Sequence, residues 1–329
     1  MAVTIREVAQ RADVSIATVS RALRGHSSVS PVTRERVEAA AAELGYTLPY
    51  RPETSNSSRA LRVGVIMPYI GRWYFSRVLA GIESALGDRE SNVIVFRPFD
   101  RQGRRRDFLD ILDPSVLDAA IIVTLAVSER EVEACRERGI SLSLLGTTYP
   151  GVPNVRIDDI AACRTLTQHF IDYGHTRIGY VGNQTFDAVP RQVSEDRQLG
   201  YQQAHEANGM KIESDLLVKT DFSITGASRA VDKLLSLDNP PTAIVAESDE
   251  LAFGVITAAQ SHGLRIPGDL SVGGIDDHDV SEALGLTTIA QPVDSLGEVA
   301  AWQAIAGAEA TASVEMPTSL IIRASSLRI

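Results

Sequence analysis

Apolar residues along this chain follow two different rhythms. Over residues 1–47 they recur at helical spacing in three short segments. Thr4, followed three residues later by Glu7, makes a capping box that opens the first helix, with Ile5, Val8 and Ala9 on its inner face. "RADVS" breaks that helix, and Ser15 is placed to cap a second one running to about Leu23, with Val19, Ala22 and Leu23 inward. After the loop "RGHSSVS", Ser30 caps a third helix with Pro31 in its first position, where a missing N–H costs nothing. Val37, Ala40, Ala41 and Leu44 form its apolar stripe, and Gly45 suits its end. Residues 47–62, "TLPYRPETSNSSRALR", are rich in Pro, Ser and Thr and read as a linker.

From Val63 onward, unbroken apolar runs replace the helical stripe. "VGVIMP", "VIVFRP", "AAIIVT", "SLSLLG", "RIGYVG", "TAIVAES" and "LSVGGID" alternate with helical stretches such as 75–86, 159–173, 197–208 and 250–262. Runs of this kind suit strands buried on both faces, so the alternation predicts parallel sheets covered by helices. "LRVGVIMP" at 61–68 and "TRIGYVGN" at 176–183 look like two openings of one kind of unit. The expected architecture is therefore an all-α helix-turn-helix head plus an α/β body of two doubly wound parallel-sheet lobes, with a ligand cleft at their strand ends.

Charge sharpens the division. The chain of 329 residues carries a net charge of −10. Residues 1–51 nevertheless hold seven Arg against five acids, a balance of +2, and leave −12 on the remainder. A small basic head on an acidic body keeps nucleic acid open as a partner despite the total. No apolar run approaches the ~18 residues that suggest a membrane span, and "MAVTIREVAQ" lacks the basic and apolar regions of a signal peptide. A cytoplasmic protein without membrane contact is expected. Cys135 and Cys163 are the only cysteines and read as buried free thiols.

Two helices joined by a tight turn, the second bearing small side chains and Arg, describe a DNA-reading pair. Ala17 and Thr18 let the backbone approach closely. Ser15, Thr18 and Ser20 offer hydroxyls to phosphates, and Arg21 can give two parallel hydrogen bonds to a guanine. "VTIREVAQRADVSIATVSRAL" followed by "VSPVTRERVEAAAAELGY" resembles the head of the lactose-repressor (LacI/GalR) family of bacterial transcription regulators, and the body continues the resemblance to near the C-terminus.

The resemblance implies that Ile16, Ala17 and Arg21 read bases and that Thr4 and Arg24 join the DNA-binding set. It implies lobes of the periplasmic-binding-protein type, with a head at 1–47, an atypical linker at 48–61 and a body at 62–329. Lobe 1 is expected at about 62–160 and 292–319, lobe 2 at about 161–291 and 320–329. Family members carry a hinge helix in the linker whose Leu wedges into the minor groove. Here that Leu falls at Ser55, and Pro52 interrupts the helix. Residues 48–61 are thus not expected to form it, with Leu61 in a shifted register as the alternative.

Site candidates in the body come from strand ends. "RWYF" at 72–75 brings Tyr74 and Phe75 to the crevice mouth. Arg191 and Arg197 lie in "VPRQVSEDRQLGY", Phe222 in "TDF", and Asp249 and Asp276 end later strands. Rings give flat faces for a sugar or base, while Arg and Asp hydrogen-bond its polar edges. The resemblance favours Phe75, Arg197, Phe222 and Asp276. Phosphate-binding glycine loops, the Gly-x-Ser-x-Gly elbow and His/Cys metal spacings are absent from the sequence, so no enzyme, cofactor or metal is expected. His169, His175 and His278 read as surface or capping residues, and "RQGRRR" at 101–106 as a solvated helix start. The reading is of a homodimeric repressor on double-stranded operator DNA, controlled by a small-molecule effector. A carbohydrate is preferred to a purine corepressor. The rivals are a solute receptor, which would need a leader and no head, and an enzyme with a regulatory head, which would need a catalytic constellation.

Overall fold

The computed structural model describes residues 5–14, 18–19, 22, 30–44, 60–87, 89–99, 105–183, 192–307 and 313–329. Two units divide the chain, one formed by residues up to Asn56 and the other from Ser57.

In the first unit, α1 (Ile5–Ala12) and α2 (Pro31–Leu44) enclose a core of Val8, Ala9, Ala12, Val19, Ala22, Val37, Ala40 and Ala41. Asp13 ends α1 in a left-handed conformation, φ 51°, which a short Asp side chain tolerates better than most. Ser30 Oγ accepts from Thr33 N at 3.2 Å and caps α2 as its sequence position predicts. Of the apolar side foreseen for the second helix, Val19 and Ala22 are fully buried in this core, and Leu23 lies outside the described residues.

The second unit is built twice on one plan. Strands β1 (Leu61–Ile66), β2 (Ser91–Phe96), β3 (Ala119–Val123), β4 (Ser141–Leu145), β5 (Asn154–Ile157) and β11 (Ser313–Met316) form a parallel sheet in the order β2-β1-β3-β4-β5-β11. Strands β6 (Ile178–Asn183), β7 (Leu217–Thr220), β8 (Ala243–Ala246), β9 (Ser271–Asp276), β10 (Thr287–Ala290) and β12 (Ser319–Ile321) repeat it as β7-β6-β8-β9-β10-β12, with β12 antiparallel to β10. The two similar openings in the sequence are thus the two first strands, β1 and β6. Helices α3 (Trp73–Leu86), α4 (Glu129–Glu137) and α9 (Val293–Ala306) pack on the first sheet. Helices α5 (Asp159–Asp172), α6 (Gln192–Ala207), α7 (Ile224–Leu235) and α8 (Asp249–Ser261) pack on the second. The predicted helix-turn-helix head and doubly wound lobes are what the chain forms. It passes between lobes three times, from β5 into α5, from β10 into α9 and from β11 into β12.

Close helix packing rests on glycine. Gly81 of α3 and Gly297 of α9 face each other's backbones: a Cβ on Gly81 would lie 2.0 Å from Asp294 O, and one on Gly297 would lie 2.2 Å from Val78 O.

Several sequence expectations are corrected. Leu61 is not available as a wedge, because it opens β1 and its N–H donates to Glu90 O at 2.8 Å. His169 and His175 are buried rather than surface residues, since the C-terminal segment folds back over them. His169 Nε2 meets Ser326 Oγ at 3.0 Å, and the His175 ring bridges Thr242 Oγ1 and the carbonyl of Leu327. Burial lowers both pKa values. Of "RQGRRR", residues 101–104 lie outside the described residues. Arg105 starts no helix; it is half-buried, bonds both carboxylate oxygens of Glu131 at 2.9 and 3.0 Å, and lies over the Phe108 ring. Cys135 and Cys163 are buried free thiols, and burial pushes each up to about 12. Among the described residues no helix is long and apolar enough to cross a membrane.

Candidate effector site between the lobes

In an open parallel sheet the crevice for a ligand lies beyond the carboxyl ends of the strands, where neighbouring connections leave in opposite directions. Here that point falls between β1 and β3 in one lobe and between β6 and β8 in the other. The two crevices join in one cavity between the lobes. Lobe 1 contributes Tyr69, Tyr74, Phe75 and Thr124; lobe 2 contributes Asn183, Arg197, Phe222, Glu247 and Asp276. The crossovers contribute Asp159 and Gln291.

Arg197, on α6, is the electrostatic centre. Its Nε donates to Asp159 Oδ1 at 2.7 Å, its Nη1 donates to the carbonyl of Glu247, and Nη1 lies 3.8 Å from Asp276 Oδ1. Burial works against the guanidinium charge, but Asp159, Asp276 and Glu247 outweigh it and hold the pKa above its ordinary value. Asp276 also accepts from Gln291 Nε2 at 2.6 Å. Burial raises the Asp276 pKa well above the usual carboxylate range, against the pull of Arg197. Strain gathers at the same place: Asp276 has φ 133°, Asp277 φ 57° and the β-branched Thr124 φ 53°. Such conformations persist only where the surroundings over-determine them, and they cluster at functional sites.

An aromatic wall closes one side. Tyr69 of lobe 1 stacks on Phe222 of lobe 2 with centroids 5.6 Å apart, and Phe75 packs against both Tyr69 and Tyr74. Burial and then Asp159 raise the Tyr74 phenol pKa, keeping it a neutral hydroxyl. Outside this wall, Trp73 stacks on His278 at 4.7 Å, and its Nε1 donates to Asp279 Oδ2 at 2.9 Å. His278 is half-buried between Trp73 and Phe253 rather than solvated. This contact fastens the lobes at the cleft mouth. Trp73→Ala removes a ring pair and a hydrogen bond, each worth about 1 kcal/mol. The unliganded protein is then expected to have a larger radius of gyration in small-angle X-ray scattering. An unchanged value would show that the latch does not set lobe closure.

Tyr74, Phe75, Arg197, Phe222 and Asp276 thus come together in one cavity, while Arg191 lies outside the described residues. Asp249 is a correction. Strand β8 stops at Ala246, so Glu247 is carried into the cleft and Asp249 falls within the start of α8. Its fully buried carboxylate is occupied by Ser281 Oγ at 2.6 Å, Thr288 Oγ1 at 2.7 Å and His278 N at 2.9 Å, and so holds the loop that follows β9. Tyr69, Thr124, Asp159, Asn183, Glu247 and Gln291 went unforeseen. One signal would have found them: each sits at or just beyond the carboxyl end of a strand. Of the DNA-side residues, Thr4, Ser15, Ile16, Ala17, Ser20, Arg21 and Arg24 lie outside the described residues; Thr18 is half-buried on the helix of Val19.

A helix-turn-helix head and a two-lobed body with an interlobe cavity define a DNA-binding regulator of the small-molecule-responsive class. Residues 4–48 match the bacterial regulatory proteins of the lacI family, and residues 167–326 match a periplasmic binding protein-like domain. The chain is 31% identical to catabolite control protein A of Priestia megaterium, over 91% of each chain. It is 32% identical to the HTH-type transcriptional repressor CytR of Escherichia coli K12, over 91% of this chain and 88% of that one. The chain belongs to the lacI family of bacterial transcription regulators. Among solved structures, a CelR–cellobiose complex is 25% identical with a TM-score of 0.69, covering 98% of this chain and 100% of that one. A LacI-family regulator from Enterococcus faecium with bound ribose is 27% identical with a TM-score of 0.72, over 82% and 99%.

Proposed function

We propose that this protein is a cytoplasmic, non-enzymatic, homodimeric repressor whose affinity for a pseudo-palindromic operator is set by a carbohydrate bound between the lobes. The observation that carries the reading is the cavity itself, where a buried Arg197–Asp159–Asp276 cluster faces an aromatic wall drawn from both lobes. Hydrogen-bonding groups at one side and flat apolar faces at the other match the two surfaces of a sugar ring. The cellobiose and ribose bound in the two similar structures support that class of ligand.

We assign the head to residues 1–47, the linker to 48–61 and the body to 62–329. Ile16, Ala17 and Arg21 read base edges, while Thr4, Ser15, Thr18, Ser20 and Arg24 serve phosphates or backbone approach. Residues 1–51, with a balance of only +2, bind weakly alone, which favours pairing on two half-sites. A ligand that touches both lobes binds one lobe arrangement better than another, and only that difference can move the heads.

The experiment is a fluorescence-anisotropy titration of an operator selected from a random duplex library, with and without a panel of sugars and purines. Asp276→Ala should keep operator binding yet lose about 1–3 kcal/mol of effector affinity, roughly 5- to 150-fold. A variant with full effector response would remove Asp276 from the ligand site; a folded variant that no longer bound operator would make it part of the switch architecture instead. Arg21→Ala should relax preference at one symmetric pair of operator positions by about 1–3 kcal/mol. Unchanged specificity across the library would rule out that base contact.

A further inference from the structure

Glu247 is a cavity carboxylate that forms no ion pair among the described residues, although it lies near enough to Arg197 to favour the guanidinium charge. Arg197 directs Nε to Asp159 and reaches Asp276 at 3.8 Å; what it gives residue 247 is a bond to the main-chain carbonyl. Arg156, the other described cation lining the cavity, pairs with Glu315 at 2.9 Å. The Glu247 carboxylate is 3% exposed and accepts only neutral donors, the N–H of Asn183 at 2.6 Å and the hydroxyl of Ser194. Each oxygen keeps a further acceptor position. Asn183 supplies an independent sign of a missing ligand. Its side chain is 4% exposed, it lines the cavity, and its Oδ1 has no hydrogen-bond partner. Buried acceptors are seldom left unpaired in a finished structure.

We infer that Glu247 and Asn183 form an acceptor subsite for a protonated amine, and that the effector is an amino-deoxy sugar. The inference rests on the cleft being a carbohydrate site. A sugar hydroxyl would satisfy the hydrogen bonds but bring no positive charge to the buried carboxylate of Glu247. An ammonium group satisfies both, with donors only and a positive charge. A phosphate or uronate would bring a further anion against Glu247, Asp159 and Asp276. Burial favours a proton on Asp276.

The test measures the full-length protein by thermal shift and isothermal calorimetry. Its panel is of mono- and disaccharides, each as the parent sugar, the amino-deoxy sugar, the N-acetyl derivative, the phosphate and, where it exists, the uronate; adenine, guanine and their nucleosides form a second arm. The expected result is an amino-deoxy sugar that binds at least about tenfold tighter than its parent and its N-acetyl form. Glu247→Gln should shrink that ratio toward one, because the amide keeps an acceptor oxygen and loses the charge. If the variant does not fold, the wild-type ratios decide the matter alone. Parent or N-acetyl sugars binding equally well, or a phosphate or uronate binding best, would overturn the amine subsite while leaving the carbohydrate reading standing. Binding confined to purines, or absent throughout, would overturn both. An unchanged ratio in a folded Glu247→Gln would remove the subsite from that residue.

Discussion

Arg197→Met is expected to destabilise the body by about 3–5 kcal/mol at neutral pH, the cost of breaking a buried ion pair from one side. For a unit of this size that lowers Tm by on the order of 10 °C. Methionine fills most of the volume, so the loss is electrostatic: Asp159 and Asp276 keep their burial and lose the cation that offsets it. The sign of the pH dependence follows from the direction of their shifts. Burial already raises both pKa values, and removing Arg197 raises them further. A carboxyl group whose folded pKa lies above its unfolded value contributes stability that is present below the unfolded pKa and lost as pH rises through the folded one. The gap between variant and wild type should therefore widen with increasing pH and narrow on acidification. Urea unfolding at several pH values measures it, and a gap independent of pH would mean that Arg197 serves packing alone. Effector response should vanish in the variant at every pH.

Gly297→Ala should be the second large effect, and its direction opposes helix propensity. In an exposed helix this exchange stabilises by about 0.5–1 kcal/mol. In α9 the added carbon would stand 2.2 Å from the carbonyl oxygen of Val78, and no side chain is there to rotate away. The helices must separate, and overpacking of this kind costs about 1–3 kcal/mol. Gly81→Ala meets Asp294 O at 2.0 Å across the same interface. The double variant should therefore cost less than the sum of the singles, since one separation relieves both contacts. Thermal unfolding of the three variants measures this. A neutral or stabilising Gly297→Ala would show that α3 and α9 are not held at this distance.

The ligand-binding groups are tied to the crossings between lobes, which links these effects to function. Asp159 and Gln291 sit where the chain crosses between lobes, and both bond the Arg197–Asp276 pair. A ligand that rearranges this pair acts directly on two of the three crossovers. Trp73, His278 and Asp279 make a separate contact between the lobes at the cleft mouth.

What could be read from the chain alone was whatever local repetition encodes. A stripe at helical spacing marked the head, with Val8, Val19, Val37 and Ala40 buried as that spacing requires. Apolar runs marked seven of the body strands, most of them covered on both faces and so without a polar side; β2, at the sheet edge and partly exposed, is the exception. The twofold plan showed itself in the two similar openings, and the family in the head motif. The destination of individual polar side chains depended on more than this. Whether Glu247 or Asp249 enters the cleft turns on where β8 stops, a matter of one or two residues that hydrophobic pattern does not resolve. His169 and His175 appeared solvated because what covers them, Ser326 and Leu327, lies more than 150 residues further along. Arg105 looked like part of a charged run until Glu131 and the Phe108 ring took it out of solvent. The cavity joins residues from Tyr69 to Gln291 through three crossings between lobes. Local periodicity determined which elements form; which of their ends meet was decided by long-range closure, and the chemistry of the site resides there.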